Sequence, residues 1–88
     1  MRDELLLGHL EELTSKLGIK TRYERVHFAE AVDQGGICRV RGEYLLIINS
    51  QATTKEKIRI TLRALKEFDL GHVEVLPVIR KLLEKTLR

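Results

Sequence analysis

The chain has 88 residues, 43% of them hydrophobic and 33% charged, so it is long enough for one small core and too apolar to be disordered. Its formal charge of +3 is split, with residues 1–18 carrying −2 and the remainder +5. Basic and acidic side chains alternate almost everywhere, which marks a mixed solvated surface rather than a polycation. A single cysteine, Cys38, excludes an internal disulfide framework and fits a reducing compartment. No apolar run reaches the roughly 20 residues that span a bilayer. Acidic residues among the first leucines argue against a secretory signal, so a cytoplasmic protein without a membrane segment is expected.

Arg2–Leu17 is predicted to be an amphipathic helix. Leu6, Leu10, Leu13 and Leu17 recur at helical spacing, with Leu5 and Leu7 widening the stripe. Asp3 and Glu4 suit its positive end and Lys16 its negative end. Gly18 fits the left-handed position just after the helix, with Ile19 making the apolar contact that follows. His9 lies off the leucine stripe and reads as solvent-facing.

Ile19–Phe28 is β-rich. A change of phase in its middle suggests a bulge or an edge strand, which Lys20, Arg22 and Arg25 would guard against mispairing. Ala29–Gly35 reads as a loop, and the pair Gly35–Gly36 as a tight turn. Gly36–Arg41 and Tyr44–Asn49 then form a hairpin through Gly42. Tyr44–Asn49 is apolar on both sides, which predicts the central strand of a small sheet covered on both faces, with Tyr44 in the core. Cys38 and Val40 are expected inside, and Arg39 and Arg41 on a basic outer face.

Thr53 and Glu56 form a T-x-x-E capping box that starts a helix running to Phe68, with Ile58, Leu62 and Leu65 as its core stripe. His72–Leu76 is briefly extended before Pro77, which opens a last helix to about Leu87 with Ile79, Leu82 and Leu83 buried. The expected fold is a single α+β domain over residues 1–88. Its order is helix, strand, hairpin, helix and short helix around an antiparallel sheet of about three strands.

Chemistry is sparsely encoded. Metal-ligand spacings such as C-x-x-C or H-x-x-x-H are missing, leaving only unconstrained pairs such as His27 with Glu30 or His72 with Glu74. No cofactor is expected. The order hairpin, strand ending in I-I-N, turn and helix K-I-R-I-T-L-R-A-L-K-E-F resembles the core of ImmA/IrrE-type zinc metallopeptidase domains over Gly35–Phe68. Arg59, Ile60 and Thr61 match the lead-in to that family's zinc helix. Its catalytic positions fall on Ala64, Leu65 and Phe68, which can neither hold zinc nor act as a base, so the resemblance implies a shared piece of fold without peptidase activity.

Three functions follow as expectations. The first is a non-enzymatic binding or structural module. Three short helices are too few to cover both sides of the sheet, and the leftover apolar patch is expected to be buried in a homodimer or against a protein partner. The second is a nucleic-acid-binding accessory protein, with Lys20, Arg22, Arg39 and Arg41 forming a basic patch on the sheet. The third is a small enzyme with Cys38 as nucleophile, although Cys38 has no histidine beside it in sequence.

Overall fold

The computed structural model describes residues 1–25 and 35–86. Three helices and a three-stranded sheet follow in the order α1 (Asp3–Lys16), β1 (Lys20–Glu24), β2 (Gly35–Val40), β3 (Glu43–Asn49), α2 (Thr54–Leu65) and α3 (Pro77–Thr86). Among the described residues no helix is long and apolar enough to cross a membrane.

Helix α1 ends as its sequence directs. Gly18 takes φ 78°, the Ile19 N–H donates to the Thr14 carbonyl at 3.0 Å, and the Gly18 N–H donates to that of Ser15 at 3.0 Å. These two bonds cap the open carbonyls and turn Ile19 into the core, where it is 4% exposed. That turn is what delivers the chain directly into β1. Helix α2 starts on the capping box: Thr53 Oγ1 accepts from the Glu56 N–H at 3.1 Å, and the Glu56 carboxylate accepts from the Thr53 N–H at 2.9 Å. The Thr53 backbone N–H, then its hydroxyl, hold the Glu56 carboxyl below its ordinary range.

The strand order is β1-β3-β2. β2 pairs antiparallel with β3, Ile37 opposite Leu46 and Val40 opposite Glu43. β1 pairs parallel with β3, Thr21 opposite Leu46 and Tyr23 opposite Ile48. The sheet is therefore mixed rather than wholly antiparallel. Side-chain alternation fixes which residues share a face, but it carries no sign of the direction of a strand joined to the next through residues 25–34. β3 holds the centre, as the apolar run requires. Among the described residues the first strand is Lys20–Glu24; Val26, His27, Phe28 and Glu30 lie outside the described residues.

The helices gather on one side of the sheet. Leu46 and Ile48 point into them and are fully buried, joining Leu10 and Leu65 at the centre of the core. α2 packs on β2 and β3, α1 on β1 and α2, and α3 on α2. Pressed between the sheet and two helices, α2 buries more than its predicted stripe: Ile60 and Ala64 are inside along with Ile58, Thr61, Leu62 and Leu65. Ile79 and Leu83 close the core from α3, with Leu82 half-buried.

The other side of β3 is not covered by any described helix. Leu45 and Ile47 are only half-buried, and Cys38 and Val40 are exposed, Val40 at 50%. This reverses the expected orientation of β2, whose Cys38 and Val40 face outward while Arg39 shares the helix side with Tyr44. Alternation alone cannot choose which of two faces meets the helices; Leu46 and Ile48 decide it for the whole sheet. Tyr44 is at the rim rather than in the core, 36% exposed, with its ring edge-on to Phe68 at 4.7 Å. Gly35 and Gly36 begin β2 instead of making a turn. The hairpin turn is Arg41-Gly42, with φ of 52° and 81°, a pair of positive values whose twist suits two-residue hairpins.

Candidate interaction surface

Strand β1 is an edge of the sheet, and its backbone directions follow from one bond. The Ser50 N–H donates to the Glu24 carbonyl at 2.9 Å, so Glu24 turns its peptide groups toward β3. Along a strand these directions alternate, so Arg22 and Lys20 also face β3. Thr21 and Tyr23 therefore present an N–H and a C=O each to the side where no described strand lies.

A depression of about 460 Å³ runs along that edge, lined by Ile19–Tyr23 and, from α1, by Glu11, Thr14 and Ser15. Successive side chains of a strand point to opposite faces, so a depression that touches all five in turn must follow the strand edge itself. Its helix-side wall is braced. Thr14 donates to the Glu11 carbonyl at 2.8 Å, and its hydroxyl lies 3.4 Å from that of Thr21. The Tyr23 hydroxyl donates to the Glu11 carboxylate, and Lys57 lies 5.2 Å from the Tyr23 ring centre. Partial burial raises the Tyr23 hydroxyl well above the ordinary tyrosine range, and the Glu11 carboxylate adds to the shift. The Tyr23 hydroxyl therefore stays protonated at physiological pH and remains a donor to Glu11.

The four cations expected to form one patch are divided. Lys20 and Arg22 lie on the open face, each beside a carboxylate: Lys20 Nζ is 3.3 Å from Glu43, and Arg22 is 2.6 Å from Glu24. Arg39 is on the opposite face, 5.3 Å from the Tyr44 ring centre. Arg41 sits in the hairpin turn. Two cations matched by two anions leave the open face with no net charge from this row, where a phosphate backbone calls for an excess of positive charge.

Cys38 stands on the open face opposite Leu45. His9 lies on α1, on the other side of the sheet, in a depression of about 280 Å³ shared with Glu12, Lys16 and Glu74. Among the described residues no three His, Cys, Asp or Glu side chains are placed to hold a metal ion. In α2, Ala64 and Leu65 are buried in the core; the helix ends at Leu65 rather than at Phe68, which lies past its end and packs against the core. Comparison with family models, curated proteins and solved structures found no match. The β1 groove was not foreseen from the sequence. The lysine and arginines of Ile19–Phe28 signalled an edge, but the flanking helix wall arises only when α1 folds back over β1.

Proposed function

We propose that this protein is a non-enzymatic interaction module of the cytoplasm that binds an extended segment of a protein chain by strand addition along β1. The observation that carries the reading is the groove itself, which joins outward-facing peptide groups at Thr21 and Tyr23 to a wall from α1. Main-chain bonds to such an edge supply affinity, and alternate side chains of the added strand, dipping toward the groove, supply selectivity. Charged residues at an edge normally discourage chance pairing. Here Lys20 and Arg22 each lie beside a carboxylate, which offsets their charge toward an incoming strand.

Probing an array of synthetic heptapeptides, one of them residues 19–25 of this chain, with the whole protein tests the reading. Thr21→Pro deletes an outward N–H while leaving the β1–β3 ladder intact, and Thr21→Val controls for loss of the hydroxyl. Binding to a subset of sequences is expected, lost in Thr21→Pro and retained in Thr21→Val. A protein that binds none of them, or whose Thr21→Pro form binds the same set, contradicts strand addition at β1.

A further inference from the structure

We infer that the strand added to β1 is β1 of a second copy, running antiparallel about a two-fold axis at Arg22. The inference rests on the strand-addition reading and names its occupant. The sequence of β1 is Lys20-Thr21-Arg22-Tyr23-Glu24. Laid antiparallel on itself about Arg22, it sets Lys20 opposite the second copy's Glu24, and Glu24 opposite the second copy's Lys20. Directly opposed side chains in such a pair lie about 5 Å apart, close enough for two ion pairs. Thr21 and the second copy's Tyr23 then become a hydrogen-bonded pair, which requires both to point their peptide groups outward, as they do. Arg22 meets its own copy on the axis as a non-bonded pair, and each Arg22 keeps Glu24 at 2.6 Å to offset that contact.

Two alternative seams fit less well. β2, the other edge, carries Arg39 as its one charge and leads into Arg41, so pairing it with itself would gather cations. Face-to-face packing would rest on Val40, Cys38, Leu45 and Ile47. Four side chains offer a few hundred Å², against the roughly 800 Å² per partner of a stable interface. The side chains of Lys20 and Glu43 are 71% and 66% exposed, so their mutual contact is loose and leaves Lys20 able to turn to a second copy.

The test is sedimentation equilibrium of the whole chain and of three variants, with circular dichroism confirming the fold of each. A dimer is expected, weakened about tenfold by Lys20→Glu and by Glu24→Lys, each of which turns two attractions into repulsions. Lys20→Glu with Glu24→Lys together should restore the dimer. The contacts of Lys20 with Glu43 and of Glu24 with Arg22 are lost in the double variant as well, so recovery reports the pair between copies. A monomer at every concentration that still binds array peptides overturns the second copy as occupant while strand addition at β1 stands. A dimer indifferent to all three variants overturns β1 as the seam.

Discussion

Leu10→Ala is expected to lower the stability of the fold by about 2–5 kcal/mol, read as a shift of the urea midpoint at unchanged slope. Leu10 is fully buried at the middle of α1, in the one cluster where leucines of α1 and α2 meet Leu46 and Ile48 of β3. Truncation removes apolar contact and leaves a void that three rigid elements close only in part. A domain of this size holds on the order of 5–10 kcal/mol in total, so the loss is a large share of it. Leu10→Met, which keeps the volume, should cost less than about 1.5 kcal/mol. A loss under 1 kcal/mol for the alanine would mean that α1 is not anchored as described.

Gly35→Ala is expected to cost about 1–3 kcal/mol, and its neighbour supplies the control. A Cβ at Gly35 would lie 2.2 Å from the Ile47 carbonyl oxygen and 2.9 Å from the Ile48 Cα. Both atoms are backbone of the central strand, so relief requires β2 and β3 to part where the ladder begins. A Cβ at Gly36 meets nothing within 4 Å. Gly36→Ala should therefore stay within about 0.5 kcal/mol of the parent. Equal effects at the two positions would contradict the register in which Gly35 faces Ile48.

What could be read from the sequence was what local physics fixes. Gly18 and Ile19 announced the end of α1, Thr53 and Glu56 the start of α2, and Pro77 the start of α3. The apolar run at Tyr44–Asn49 announced the central strand. Pairing was less legible. The direction of β1 depends on a connection whose residues carry no periodic signal. The facing of β2 depends on Leu46 and Ile48, residues of another strand, so Cys38 and Arg39 exchanged their expected sides. The candidate site was visible in part. Lys20 and Arg22 were singled out, but for a basic patch with Arg39 and Arg41; their carboxylate partners became apparent only from the fold. Glu43 is brought across by the β1–β3 register, while Glu24, two residues along β1, shares the face of Arg22. The groove needs α1 beside β1, and no spacing within either element records that contact.

Hydrogen exchange at the Thr21 and Tyr23 amides tests strand addition along β1 most directly. These two amides are expected to exchange readily in dilute protein and to slow together as an added strand takes the edge, at rising protein concentration or with the strongest peptide of the array. The Arg22 and Glu24 amides, already turned to β3, should change little. Thr21 and Tyr23 amides that stay fast under both conditions, or that are already slow in the isolated monomer, would contradict the account.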